Sequence, residues 1–255
     1  MNLESFKEYL LEKLKSNKID VNLNNNEIQK LYEYMKYILE KNQYINLTAI
    51  TDEKDFILKH IVDSLYIQKY IDIFKEEYIF DIEEYLDSSN LSKIEKENIK
   101  NQKLRYIDIG TGGGFPLSIV SVLNEDIESY GLDSINKKLK VINDSNINVK
   151  TIHARAELLA HDVKYREQFY ICTSRAVANL NSIIQLMAGF VSPSGYLICM
   201  KGDLEEYDEK IFEKFSLELE HIEEYTIDNL TRTIYIFKKI DELNPKLPLK
   251  NTKKY

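Results

Sequence analysis

The sequence predicts an α/β fold, a mainly parallel sheet with helices on both faces, preceded by a small helical part. Three observations predict it. Before about residue 100 the apolar residues recur at three- and four-residue steps; from residue 104 short apolar strands alternate with helical stretches; and the first of those strands ends in a glycine-rich turn that leads into a helix. The chain has 255 residues, 44% hydrophobic and 30% charged, in the range of one large or two modest domains.

In NNNEIQKLYEYMKYILEKN the apolar residues Ile28, Leu31, Tyr32, Met35, Ile38 and Leu39 form one stripe behind an Asn cluster suited to N-capping, so this segment is an amphipathic helix. QYINLTAIT follows as a short apolar link. A second helix opens at Asp52, with Glu53 and Asp55 in its electropositive first turn, and carries Phe56, His60, Ile61 and Leu65 toward residue 70. Residues 72–103 are charged and weakly periodic, which predicts a surface insertion with one or two short helices. LRYIDIG, IESYGLD, INVKTIHA, QFYICTS and GYLICMK then read as buried strands, with helical segments around 116–124, 136–144, 155–162 and 178–190 between them. After a further helical segment near 204–214, FSLELEHIEEYTI and TRTIYIFKKI predict an antiparallel pair closing the sheet edge, and the tail is irregular. The boundaries that follow are 1–72 for the N-terminal helical region, 73–103 for the insertion, 104–240 for the α/β domain and 241–255 for a basic tail.

Charge and cysteine content narrow the function. A net charge of −8 excludes a protein that coats nucleic acid or an anionic membrane through bulk charge, so a polyanion must meet a local basic patch. The evident patch is the tail: Lys238 to Tyr255 holds six Lys and two acids, leaving −12 for the remainder, although a solvated lysine-rich terminus reads equally well. Cys172 and Cys199 lie inside strand patterns and are read as buried small hydrophobes rather than a disulfide framework or a nucleophile. The four His show no metal-ligand spacing, no apolar run approaches the ~18 residues of a membrane span, and the N-terminus lacks a signal-peptide core. The expectation is a cytoplasmic protein with neither metal nor membrane association, acting as a monomer.

The most informative segment is Tyr106-Ile107-Asp108-Ile109-Gly110-Thr111-Gly112-Gly113-Gly114-Phe115-Pro116. Its glycines lie between strand and helix, where backbone without Cβ atoms lets a ligand approach the carboxyl end of the sheet. Their G-x-G-x-G spacing departs from a dinucleotide fingerprint, which wants its third glycine where Phe115 stands. Asp108 is placed to hold an ammonium group, and Asp133, about 20 residues past the turn at the end of the second strand, to meet ribose hydroxyls. An adenosyl ligand with an amino-acid tail, S-adenosyl-L-methionine, satisfies both; a nicotinamide cofactor in a dehydrogenase is the alternative on the same βαβ unit.

DIGTGGGFP, with NLTAIT and KHIVDSL upstream, LDS at 132–134, RAE at 155–157, SRAVANL at 174–180 and MKG at 200–202, resembles the small-subunit (16S) ribosomal RNA methyltransferase G family, also called glucose-inhibited division protein B. The match in order runs from about residue 28 to the last strand. The resemblance implies a seven-stranded, Rossmann-like class I S-adenosylmethionine-dependent methyltransferase fold, and transfer of a methyl group to N7 of a guanine in small-subunit rRNA, naked or in the small ribosomal subunit. It also implies cofactor contacts at Gly110, Phe115, the Ala156-Glu157 pair and Arg175, with Gly112 and Gly114 completing the turn. A non-catalytic ribosome-associated protein on the same fold is the other possibility. Departures from the family pattern are a segment about three residues shorter after Phe115-Pro116, a shortened helix after Asp133, and a tail, Pro245-Lys246-Leu247-Pro248-Leu249-Lys250-Asn251, without the Arg and Gly of a P-R-x-P-G motif.

Methylation at N7 needs no general base, because that nitrogen keeps its lone pair while the base is paired. The expected side chains are therefore positioning ones: Asn46 in NLTAIT, and Lys59, His60 and Asp63 in KHIVDSL, which helical spacing brings toward one face. A surface Lys59–Asp63 ion pair with a buried His60 is the plainer reading of that spacing. Lys201, ending the fifth strand, is a candidate for phosphate contact.

Overall fold

A computed structural model describes residues 1–250, and in it the chain opens with two amphipathic helices, α1 (Leu3–Ser16) and α2 (Asn25–Asn42). Phe6, Leu10 and Leu14, at four-residue steps, bury the stripe of α1. A capping box opens α2: the Asn24 side chain accepts from the Glu27 N–H at 3.0 Å and Glu27 accepts from the Asn24 N–H at 2.7 Å. The next helical run starts at Asp52, whose carboxylate accepts from the Asp55 N–H at 3.0 Å, and comprises α3 (Glu53–Phe56), a π-helical stretch at Ile57–Val62 and α4 (Asp63–Leu65). Then come α5 (Gln68–Ser88) and α6 (Lys93–Lys100). The insertion is thus not built from short helices alone, since α5 runs for 21 residues. Its first half is held by the sheet: Phe74 stacks on Tyr196 with ring centroids 3.8 Å apart, and Tyr78 packs against Tyr170 at 4.9 Å.

The remaining elements alternate as β1 (Arg105–Ile109), α7 (Leu117–Leu123), β2 (Glu128–Asp133), α8 (Asn136–Asn143), β3 (Lys150–His153), α9 (Ala156–Leu159), β4 (Phe169–Arg175), α10 (Leu180–Met187), β5 (Val191–Lys201), α11 (Glu209–Lys214), β6 (Leu217–Ile227) and β7 (Leu230–Lys239). The strands form one seven-stranded sheet in the order β3-β2-β1-β4-β5-β7-β6. β1 to β5 are parallel, Ile107 pairing with Tyr130 on one side and Cys172 on the other, and β7 runs antiparallel to both β5 and β6. Strand order reverses between β1 and β4, so their carboxyl ends diverge into a crevice, the usual ligand position in an open α/β sheet.

Two apolar layers flank the sheet. One joins Phe6, Leu31, Met35, Phe56 and Ile61 of the N-terminal helices to Tyr106, Ile171 and Ile198 of the strands, so the helical part and the sheet share a core. The other packs Ile183, Ile184, Phe190 and Phe212 against Ile107, Cys172, Leu197 and Phe237. Both cysteines are buried and free, with burial pushing the Cys199 thiol up to about 12, as the strand pattern predicts for small hydrophobes.

The tail corrects an expectation. Its described part is irregular but strapped down: Arg166 donates to the carbonyl oxygens of Ala160, Leu243, Asn244 and Leu247, and His161 bonds the Pro248 carbonyl at 2.8 Å. Lys239 is fully buried and paired with Glu167 at 2.5 Å, and Lys238 lies 3.8 Å from Glu77. Lys239 thus serves the fold instead of a basic patch, and Lys238 lies over the Tyr196 ring beside Glu77, leaving Lys246 and Lys250 in the described tail; Lys253 and Lys254 lie outside the described residues.

Candidate active site

The turn after β1 takes its shape from three left-handed glycines, Gly110, Gly112 and Gly114, at φ of 72°, 56° and 85°. They do different work. A Cβ at Gly114 would lie 2.2 Å from Tyr34 Oη and 2.6 Å from Ser118 Oγ, so this glycine lets α2 dock rather than shaping the cleft. At Gly112 a Cβ would meet nothing nearer than the Gly110 carbonyl oxygen at 3.8 Å, and that open space belongs to the cleft. The cleft holds about 510 Å³, within the ~300–1,000 Å³ of small-molecule sites.

Gly110, Thr111, Asp133, Ala156, Glu157 and Arg175 all line it. Asp133 is fixed by backbone donors, Gly112 N–H to one oxygen at 2.9 Å and Ile135 N–H to the other at 2.8 Å, which leaves half of its four acceptor positions for a ligand. Glu157, in the first turn of α9, is buried and takes a 2.6 Å bond from Arg155 on one oxygen. Asp108 does not line the cleft; it is 0% exposed, directly behind the turn. Its Oδ1 accepts from Thr173 Oγ1 at 2.7 Å, while its Oδ2 and the Thr111 hydroxyl oxygen are buried without a partner among the described residues. Burial pushes the Asp108 carboxyl up to about 6, against the pull of the Thr173 hydroxyl, of the Thr111 hydroxyl, which lies close by without the geometry of a hydrogen bond, and of the Arg175 guanidinium.

The N-terminal part supplies the other wall, with Leu47, Thr48 and His60. Phe115 sits at the junction: His60 stacks on it at 4.3 Å and 5°, and Tyr34 and Phe56 meet its edges. Arg175 ties the two parts together, donating to the Lys59 carbonyl at 3.1 Å, Asp63 Oδ2 at 3.0 Å and His60 Nδ1 at 2.8 Å. The other oxygen of Asp63 accepts from Tyr225 Oη at 3.2 Å and Arg232 Nε at 3.3 Å. Burial, with Arg175 alongside, holds the His60 pKa down to about 3, so the ring is neutral.

The remaining predicted residues fall elsewhere. Lys59 pairs with Asp55 at 2.7 Å and not with Asp63, whose carboxylate is taken by Arg175, Tyr225 and Arg232. Asn46 is exposed and outside the cleft lining, and its neighbour Asn42 organises the loop, accepting from the Leu47 and Thr48 N–H groups at 2.8 and 3.0 Å. Lys201 is buried away from the cleft, bonded to the Ala178 carbonyl and to Glu205 at 3.2 Å. Sequence reasoning passed over Thr48, Thr111, Tyr34 and Arg232, although Thr111 stands inside the glycine turn and Thr48 inside NLTAIT. Among the described residues no group of three or more His, Cys, Asp or Glu is arranged to hold a metal ion, and no helix is long and apolar enough to cross a membrane.

Comparison with known proteins gives the family. Residues 27–83 and 85–235 match the family described as rRNA small subunit methyltransferase G. The ribosomal RNA small subunit methyltransferase G of Clostridium novyi (strain NT) is 33% identical over 243 residues, covering 91% of this chain and 89% of that protein. The protein of the same name from Thermoanaerobacter sp. (strain X514) is 33% identical over 232 residues, covering 87% of this chain and 85% of its own. A solved antibiotic-resistance methyltransferase, Kmr, is similar over 60% of this chain and 95% of its own at 13% identity and a TM-score of 0.45, too remote to inform the site.

Proposed function

The chain belongs to the rRNA small subunit methyltransferase G family, and on that premise we propose that it transfers a methyl group from S-adenosyl-L-methionine to N7 of a guanine in small-subunit (16S) ribosomal RNA. The observation that carries this reading is the cleft over the glycine turn, open at Gly112 and backed by the unpaired buried Oδ2 of Asp108. The residues present fit the cofactor. An uncompensated carboxylate suits a ligand bearing an ammonium group, and the Thr111 hydroxyl, which lines the cleft and has no partner among the described residues, can link the two. Asp133 has acceptor positions left for ribose hydroxyls, and the Ala156-Glu157 turn, with Glu157 buried, offers a backbone amide and a carboxylate to adenine. Arg175 has two N–H groups not engaged by Lys59, Asp63 or His60, suited to a carboxylate.

When bound, S-adenosylmethionine supplies a methyl group on a positively charged sulfur, which a neutral nitrogen lone pair attacks directly. The protein's part is to align and to exclude water, worth up to about 7–11 kcal/mol of barrier. No side chain has to remove a proton from N7, and His60 is not free to, since its Nδ1 accepts from Arg175. In this reading the enzyme works as a monomer in the cytoplasm, without a metal. Incubation with methyl-labelled S-adenosylmethionine and small subunits lacking the modification tests it. Label should appear in the rRNA at one guanine that becomes cleavable by borohydride and aniline; absence of transfer to naked rRNA and to particles alike overturns it.

A further inference from the structure

Thr48 is a side chain of the cleft whose hydrogen-bonding role the neighbouring atoms fix completely. Arg175 Nη2 stands 2.8 Å from His60 Nδ1, and a guanidinium has only donors, so Nδ1 holds the lone pair and Nε2 carries the hydrogen. That Nε2–H therefore donates to Thr48 Oγ1 at 2.7 Å. The Ile50 N–H donates to the same oxygen at 3.1 Å. Both lone pairs of the hydroxyl are used, its hydrogen has no partner among the described residues, and Thr48 lines the cleft. The group can only donate, and two donors feeding its oxygen strengthen it as a donor.

Resting on the methyl-transfer reading above, we propose that the Thr48 hydroxyl donates to O6 of the target guanine and thereby selects guanine over adenine. O6 is the acceptor beside N7 on the major-groove edge, whereas adenine presents an N6 amino donor there. A hydroxyl with no lone pair left cannot accept from that amino group. The other acceptor to be expected in the cleft, the cofactor carboxylate, is better matched by the free N–H groups of Arg175, because a charged donor suits a charged acceptor.

The test pairs protein variants with substrate bases. Small subunits are reconstituted with guanine or with 2-aminopurine, which lacks O6 and keeps N7, at the target position, and kcat/KM is measured for wild type, Thr48→Val and Thr48→Ser. Calorimetry with S-adenosylhomocysteine runs in parallel. Wild type should prefer guanine by about ten- to hundredfold, and Thr48→Val should lose that factor on guanine yet change little on 2-aminopurine. Thr48→Ser should keep the preference, and S-adenosylhomocysteine affinity should stay within about twofold throughout. Equal losses on both bases would make Thr48 a structural residue, and a Thr48→Val loss of S-adenosylhomocysteine affinity would assign its hydroxyl to the cofactor; either overturns the proposal. Wild type inactive on guanine would instead sink the methyl-transfer reading, and this proposal with it.

Discussion

Asp108 keeps a charge-bearing group where water cannot reach it, with one oxygen unpaired, and that arrangement has measurable consequences. Its folded pKa of about 6 lies above the ordinary 3.8, so the group favours the folded state below about pH 4 and that contribution is lost as pH rises through about 6. Asp108→Asn should stabilise the ligand-free protein by about 1–3 kcal/mol near pH 7.5, with the gain vanishing near pH 4, as read by urea unfolding. The same substitution should weaken S-adenosylhomocysteine binding about tenfold and remove the fall in wild-type affinity below about pH 6. An Asn variant that binds like wild type would detach Asp108 from the ligand. Asp133 could be placed from the sequence because it ends a strand past the glycine turn, whereas Glu157 was placed by the family resemblance alone, a first-turn carboxylate being ordinarily solvated. Thr48 could not be placed, since its role depends on Arg175 and His60, brought together only by the tertiary fold.

At the scale of elements, the docking of the N-terminal helices on the glycine turn depends on Gly114 and Asp63. Tyr34 donates to the Gly113 carbonyl at 2.9 Å and accepts from Ser118 at 2.8 Å, in space that a side chain at position 114 would take. Gly114→Ala should cost about 2 kcal/mol or more, combining the clash with about 1–2 kcal/mol for a left-handed L-residue; an unchanged urea midpoint would refute this. Asp63 lies between two guanidiniums, and Asp63→Ala should destabilise by about 3–5 kcal/mol by leaving Arg175 and Arg232 unpaired, measured the same way. The strands and βα units could be read from sequence because each carries its own period. The π-helical stretch at Ile57–Val62 could not, because one extra residue in a turn leaves the apolar pattern nearly intact, nor could the partners of Asp63, Arg175 and Arg232, which come from distant strands.

For the whole molecule, the constraint is an acidic enzyme acting on an acidic polymer. The net charge is −8, the two lysines that end β7 are paired in the fold, and the cations at the cleft are few: Lys138, Arg155 paired with Glu157, and Arg175 turned to the N-terminal part and the cofactor. RNA affinity should therefore fall with salt along a slope no steeper than about −2 in log–log form, equivalent to at most about three phosphate contacts. A slope steeper than about −6 in filter binding would point to a basic surface elsewhere. The sharing of one apolar core by the N-terminal helices and the sheet was hidden in the sequence, where the change of period near residue 100 reads as a boundary. It explains how residues from NLTAIT and KHIVDSL come to wall the cleft that the glycines open.

Whether the cleft over the glycine turn holds the cofactor is decided by calorimetric titration of the full chain with S-adenosylhomocysteine. One site per chain is expected, with a Kd of about 1–100 μM, weakened at least about tenfold in Gly112→Val, whose side chain would enter the open space of the turn. No binding at millimolar ligand, or equal binding by Gly112→Val, contradicts a cofactor site there.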